Sequence, residues 1–173
     1  MKRSWRVYNT SCMVKIADLI KREEIRQKNT LNLIPSENYV STDVRDAVGS
    51  VLMNKYSEGY PGRRYYQGNE IADEIENLAM EKAKSLFGVE HVNVQPYSGS
   101  PANSAVLFGL LNPGDKIMGL KLSSGGHLTH GHPDITFSGK YFDSVQFGTK
   151  DDGIIDYDEV EKIALTEKPK LMI

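Results

Sequence analysis

The residues from Asn54 to Gly68, NKYSEGYPGRRYYQG, place one carboxylate, Glu58, among Tyr56, Tyr60, Tyr65 and Tyr66, with Arg63 and Arg64 close behind. Gly59, Pro61-Gly62 and Gly68 deny this stretch a long helix or a central strand, so a loop displays its ionisable and aromatic groups. Loops on a rigid scaffold are where binding and catalytic groups concentrate. Ringed by tyrosines, a partly desolvated Glu58 would hold its proton to higher pH and serve as a proton donor or acceptor near neutrality. The alternatives are an ion-pair partner for Arg63 or Arg64, and a tyrosine-rich crossover that only packs against another domain or subunit.

Two further stretches carry chemistry. Ser98-Gly99-Ser100 stands where a strand-like segment gives way to a helical one. Free backbone N–H groups, two hydroxyls and a helix N-terminus together make an anion cradle suited to phosphate. The spacing matches neither a dinucleotide fingerprint nor a nucleotide P-loop, and a plain capped turn is the competing reading. Gly125-Gly126-His127-Leu128-Thr129-His130-Gly131-His132 holds three histidines, but no cysteine or paired carboxylate lies nearby, so a metal site is not expected. A histidine behind two glycines either lies flat against a planar ligand or bonds to its own backbone. Together the three stretches suggest a phosphorylated planar cofactor.

The elements that must position these groups follow from periodicity. Met13 to Arg26 reads as a helix capped at Ser11, and Thr30 to Ile34 as a short alternating segment ended by Pro35-Ser36-Glu37-Asn38. Ser41 to Met53 reads as a helix weakened at Gly49, and Asn69 to Phe87 as the clearest helix, stopped by Gly88. His91 to Gln95 alternates as a strand, and Ser98 to Leu111 is helical with Pro101 tolerated in its first turn. Strands at Lys116 to Leu120 and Ser144 to Phe147, then a helix from Tyr157 to Glu167 with Asp156 as its cap, complete the pattern. Strands alternating with helices from His91 onward point to an α/β domain with a mostly parallel sheet. Lys170 to Ile173 reads as a core strand just beginning, and the chain as the front part of something longer.

Composition narrows the classes. A net charge of −2 supplies no field for nucleic acid or an acidic membrane, and no stretch is apolar for long enough to span one. The single cysteine, Cys12, excludes an internal disulfide and fits a reducing compartment. The basic first residues, MKRSWRVYNTS, are either a solvated tail or the start of a targeting peptide.

At the level of whole runs the chain closely resembles the N-terminal part of serine hydroxymethyltransferases. The matching blocks are Leu33 to Tyr39, Asn54 to Tyr66, Asn93 to Asn103, Gly125 to Gly131 and Phe137 to Lys140, in family order, and the resemblance covers about Leu19 to Ile173. It implies an aspartate-aminotransferase-like, fold type I pyridoxal-phosphate enzyme that exchanges serine and tetrahydrofolate for glycine and methylenetetrahydrofolate.

By position, Ser98, Gly99 and Ser100 resemble binders of the cofactor phosphate, and His127 the imidazole stacked on the cofactor ring. Glu58 resembles the group that handles a proton at the substrate hydroxyl, and Ser36 a contact to the substrate carboxylate. Tyr56 and Tyr66 resemble groups lent across a dimer interface, Tyr56 towards the cofactor phosphate, while Leu122 and Gly126 resemble positions along the folate site. Ser123-Ser124 departs from the pattern, which has a more apolar or histidine-containing pair there.

The resemblance further implies a tail over residues 1–12, helices and a dimer or active-site arm over 13–68, and the first part of the cofactor-binding large domain over 69–173. It implies a cytoplasmic homodimer or tetramer, organellar if the tail targets it. The family's cofactor-binding lysine, pyridine-nitrogen aspartate and carboxylate-clamping arginine fall beyond Ile173, so these 173 residues alone are expected to be inactive. Two other readings stand beside the enzyme: a non-catalytic binding or dimerisation module, and an aldolase acting on a β-hydroxy amino acid.

Overall fold

The computed structural model describes residues 10–173, with side chains from residue 15 onward. Most of the expected tail, residues 1–12, therefore lies outside the described residues. The chain divides into two units, with the boundary after Asn69.

In the first unit, α1 (Thr10–Asn29) extends past both expected ends, and Ser11 lies inside it rather than capping it. Ile16, Leu19, Ile20 and Ile25 lie on its exposed surface. Residues 30–34 form no strand: Leu31 and Leu33 are 91% and 87% exposed, and a turn follows in which Glu37 N–H donates to the Ile34 carbonyl at 3.1 Å. The helix expected over Ser41 to Met53 is broken. α2 (Thr42–Val48) is capped by Ser41 Oγ, which accepts from Val44 N–H, and it stops at Gly49. Ser50 Oγ then accepts from Leu52 N–H and starts a separate 3-10 turn, Val51–Asn54. Glycine costs about 1 kcal/mol against alanine inside a helix, and a serine ready to cap the next turn completes the break.

The tyrosine stretch folds as a hairpin. β1 (Gly59–Tyr60) pairs antiparallel with β2 (Arg63–Arg64), joined by Pro61-Gly62 with Gly62 at φ 71. Proline followed by a positive-φ glycine is the chemistry of a type II turn. Gly59, at φ 103, has no room for a side chain, because a Cβ there would run into the Arg63 carbonyl oxygen.

The second unit begins with α3 (Glu70–Phe87), which ends at Gly88 (φ 64) and buries none of its residues. The segment His91 to Gln95 forms no strand, contrary to its alternation. Its Gln95 N–H is taken locally by Asn93 Oδ1 at 3.0 Å rather than by a ladder partner. Next come α4 (Gly99–Leu110), β3 (Lys116–Leu120), α5 (Phe137–Tyr141), β4 (Asp143–Phe147), α6 (Tyr157–Glu167) and β5 (Leu171–Met172). The three strands form a parallel sheet in the order β4-β3-β5, with Ile117 opposite Ser144 and Leu171. Parallel strands need crossovers: α5 lies on the one from β3 to β4, and α6 on the one that carries the chain from β4 past β3 to β5. Asp156 caps α6 as expected, accepting from the Asp158 and Glu159 N–H groups.

The core of this unit is Leu107, Leu111, Ile117 and Phe142, with Phe137 and Leu171 packed against it. β3 runs through its centre, and Ile117 and Met118 are fully buried. Charges clamp the sheet at its rim. Lys116 Nζ lies 2.5 Å from Glu167 and 3.3 Å from Asp143, and Lys170 Nζ donates to Asp115 at 2.6 Å.

One face of the sheet is covered by its own connection. Ser144 Oγ donates to the Gly131 carbonyl at 2.5 Å, Gly131 N–H donates to Ser138 Oγ at 3.0 Å, and Thr136 Oγ1 donates to the Leu128 carbonyl at 2.6 Å. This seat exists because side chains are missing. A Cβ at Gly119 would run into the His130 carbonyl oxygen, one at Gly126 into the Leu120 carbonyl oxygen, and one at Gly139 into the His132 carbonyl oxygen.

Gly119→Val is therefore expected to cost about 1–3 kcal/mol or more as overpacking. Gly148→Ala, whose Cβ would meet nothing nearer than Ser124 Oγ at 3.5 Å, is expected to stay within about 0.5 kcal/mol. Denaturant midpoints compare the two, and equal shifts would refute the close seat. The Asp115 carboxyl is held below its usual range by the Lys170 ammonium and then by the Asn112 N–H. A lowered carboxylate pKa adds stability above the unfolded value of about 3.9, lost as pH falls through the folded value. The stability difference between wild type and Asp115→Asn is thus expected at neutral pH and to vanish on acidification. A difference constant from pH 7 to below 3 would contradict it.

Candidate functional site

The N-terminal end of α4 carries the first group of candidates. Ser98 is extended (φ −166, ψ 180), and its hydroxyl makes no capping bond. Its carbonyl accepts from Ala102 N–H at 3.1 Å, closing the first turn. The N–H groups of Gly99 and Ser100 have no acceptor within the helix, as at every helix start, and Pro101 has none to satisfy. No atom lies within 4 Å of the position a Cβ would take on Gly99, so the approach is open. Ser98, Gly99 and Ser100 are all exposed. Open donors, two free-standing hydroxyls and the positive end of the helix dipole suit an anion.

His127 is the second candidate, and bonds within the unit tie it to this helix. Asn103, in the second turn of α4, donates from Nδ2 to Thr129 Oγ1 at 2.7 Å. Thr129 Oγ1 is in turn 2.7 Å from His127 Nδ1, and the Thr129 N–H donates to the same nitrogen at 3.1 Å. Thr129 is 3% exposed, whereas His127 is exposed. His130 packs beside it with ring centroids 5.2 Å apart; burial, then the neighbouring His127, holds His130 below its ordinary pKa. His132 is used otherwise, its Nδ1 accepting from Asp134 N–H at 3.3 Å. Among the described residues no group of histidine, cysteine and carboxylate side chains could hold a metal.

Leu122 and Gly126 lead into the same segment. Leu122 opens a 3-10 turn, Leu122–Ser124, and is 44% exposed. Gly125, at φ 95, ends that turn, and Gly126 N–H donates to the Lys121 carbonyl at 2.9 Å. The departure at Ser123-Ser124 has a structural use, because Ser124 Oγ accepts from Thr149 N–H at 3.3 Å. The phosphate-like cradle, His127, Leu122 and Gly126 thus all belong to one unit.

Ser36, Tyr56, Glu58 and Tyr66 belong to the first unit. Ser36 is an exposed turn residue beside Glu37, whose carboxylate accepts from Asn32 Nδ2 at 2.5 Å. Tyr56 and Tyr66 meet edge to face, with centroids 5.2 Å apart and planes at 87°, and both are more than half exposed. The hairpin is tied at its base by Lys55 Nζ, which donates to the Gln67 carbonyl at 2.8 Å. Arg64 Nη1 donates to the Ser57 and Gly59 carbonyls at 2.8 and 2.7 Å, straddling Glu58. The Glu58 carbonyl accepts from Tyr65 N–H at 3.2 Å.

The expected burial of Glu58 among tyrosines is corrected here: its side chain is exposed. A two-stranded ribbon has no layer of its own to cover a side chain, so the four tyrosines stand around the hairpin without closing over its carboxylate. Asn103 and Thr129 carry no role in the sequence reading. Their signal was present in the spacing, with Asn103 one helical turn after Ser100 and Thr129 two residues after His127, but only the fold brings the pair together.

Comparison with known proteins reaches across the whole described chain. A family model for serine hydroxymethyltransferase matches residues 10–173. The chain is similar to a serine hydroxymethyltransferase of Desulfotalea psychrophila, 56% identical over 159 residues, covering 92% of this chain and 37% of that protein. A serine hydroxymethyltransferase of Acidothermus cellulolyticus is 59% identical over 158 residues, covering 91% and 37%. A serine hydroxymethyltransferase 1 of Pseudomonas fluorescens is 57% identical over 159 residues, covering 91% and 38%. The chain therefore spans well under half the length of these curated relatives.

Proposed function

The chain belongs to the serine hydroxymethyltransferase family, and we propose that the complete protein transfers the hydroxymethyl group of serine reversibly to tetrahydrofolate, with pyridoxal 5'-phosphate as cofactor. Its α/β fold, with a parallel sheet and a separate antiparallel hairpin, is consistent with the fold type I group of pyridoxal-phosphate enzymes. The observation that carries the reading is the bond between Asn103 and Thr129, which fixes an exposed imidazole beside an open helix N-terminus. Open space at Gly99 and a ring held by hydrogen bonds fit a phosphorylated planar group. When bound, pyridoxal phosphate supplies an electron sink for bond cleavage beside an amino group.

The roles of this chain's residues follow from their chemistry. The Gly99 and Ser100 N–H groups and the Ser98 and Ser100 hydroxyls would hold the phosphate as donors at a helix N-terminus. His127 would lie against the ring and keep it in one plane. Glu58 would move a proton at the substrate hydroxyl. Its exposure within this hairpin supports a group left for substrate or a second subunit to cover, and desolvation at that point favours the protonated, donating form. Tyr56 and Tyr66, apolar bodies with polar tips, suit a two-fold dimer interface that also lines a site. Ser36 would contact the substrate carboxylate, and Leu122 and Gly126 would line the folate site.

In the complete protein, Glu58→Gln is expected to lower kcat for folate-dependent serine cleavage by about 10²–10⁴-fold, the range for one general acid–base group, while sparing cofactor binding. Unchanged turnover would remove Glu58 from the mechanism. His127→Ala is expected to weaken pyridoxal phosphate about two- to tenfold, from the loss of about 0.5–1.5 kcal/mol of ring stacking. An unaltered cofactor affinity and absorption spectrum would count against stacking.

A further inference from the structure

Two groups of Thr129 meet at one nitrogen of His127, and their donors and acceptors fix where the protons are. The Thr129 backbone N–H is a donor only, and it points at His127 Nδ1 from 3.1 Å. Nδ1 must therefore offer a lone pair there rather than a proton. Thr129 Oγ1 is also 2.7 Å from Nδ1, and it already accepts from Asn103 Nδ2 at 2.7 Å. A hydroxyl that accepts from the amide is free to turn its own hydrogen towards Nδ1. The opposite arrangement, with Nδ1 protonated, would set that proton against the Thr129 N–H in a junction where Thr129 is 3% exposed. Beside a buried threonine, two donors set against each other cost free energy.

We propose that Asn103 and Thr129 are positioning residues that lock His127 in the Nε2–H tautomer and in one ring orientation, anchored to α4. The consequence for the cofactor rests on the function proposed above; the tautomer itself does not. The helix that presents Ser98, Gly99 and Ser100 also sets the imidazole through Asn103. Cradle and ring are thereby held at a fixed relative position before any ligand arrives. Such a relay, in which one ring nitrogen is held so that the other keeps a defined proton, is how histidine orientation is commonly controlled. A ring whose Nδ1 is held without a proton brings no positive charge to whatever lies against it, and burial shifts the neighbouring His130 towards its neutral form.

The test uses the complete apo protein labelled with ¹⁵N-histidine, with His127→Asn assigning the signal. The expected wild-type spectrum shows one tautomer, with Nδ1 unprotonated and Nε2 protonated. Thr129→Val, equal in shape but without the hydroxyl, is expected to give averaging between tautomers and pyridoxal phosphate binding about threefold weaker, within the loss expected for His127→Ala, with a changed circular dichroism band of the bound cofactor. Thr129→Ser is expected to restore all three to within about twofold. A wild-type protein with Nδ1 protonated overturns the proposal by itself, whether or not the variants fold. A Thr129→Val protein indistinguishable from wild type overturns it too, as does a Thr129→Ser protein that behaves like the valine variant. A single Nε2–H tautomer in a wild-type protein that binds no pyridoxal phosphate supports the relay and overturns the cofactor reading alone.

Discussion

Everything at the candidate site depends on how closely the Gly126–His132 connection can lie on the sheet. A polypeptide backbone can rest on a strand only where the strand offers no side chain, and Gly119 provides that place under the His130 carbonyl. Gly126 and Gly139 remove the two other obstacles, at the Leu120 and His132 carbonyls. Once seated, the connection is held by hydroxyls, with Ser138, Ser144 and Thr136 bonding to its backbone. Only a segment pinned in this way can offer Thr129 to Asn103 and hold His127 at a fixed angle. The glycines act through space they leave empty, and the serines and threonines through the backbone groups they satisfy.

What could be read from the sequence follows the range of the interaction involved. Short-range chemistry was legible. Asp156 caps α6 and Gly88 ends α3, each by contacts within a few residues, whereas the cap at Ser41 and the hairpin turned by Pro61-Gly62, though as local, were read only as a helix start and a loop. The strand Lys116 to Leu120 was legible because a buried parallel strand needs a run of apolar residues whatever its partners are, and Ser144 to Phe147, which begins one residue earlier at Asp143, carries Val145 and Phe147 between polar neighbours. The segment His91 to Gln95 misled because alternation states only that one side could be buried; a strand also needs a neighbour for its ladder, and local bonds such as that of Asn93 to Gln95 prevail without one. The helix over Ser41 to Met53 failed for a related reason, since Ser50 captures Leu52 N–H and restarts the chain where periodicity runs on.

The site divides in the same way. Glu58, His127 and the Ser98 to Ser100 turn could be singled out by residue type, each beside a plainer use as an ion-pair partner, a backbone-bonded histidine or a capped turn. Asn103 and Thr129 do not. An asparagine inside a helix and a threonine in a loop are ordinary until the chain between them, 26 positions in separation, is folded so that the two side chains touch. The burial of Glu58 could not be read either, because tyrosines adjacent in sequence need not converge in space. Tyr56 and Tyr66 meet each other edge to face, and Glu58 is left exposed.

This difference says where the site's order comes from. Within Glu70–Ile173 the cradle and the imidazole are fixed against each other by hydrogen bonds that need no ligand, which is the condition for an anion and a flat ring to be held at one spacing. Within the first unit the hairpin is fixed just as locally, by Arg64 across Ser57 and Gly59 and by Lys55 on Gln67, yet its functional side chains are left uncovered. A carboxylate that must change its protonation during a reaction gains from being desolvated only when substrate is present. A hydrogen-bonded backbone beneath an exposed side chain, as at Glu58, is compatible with that requirement.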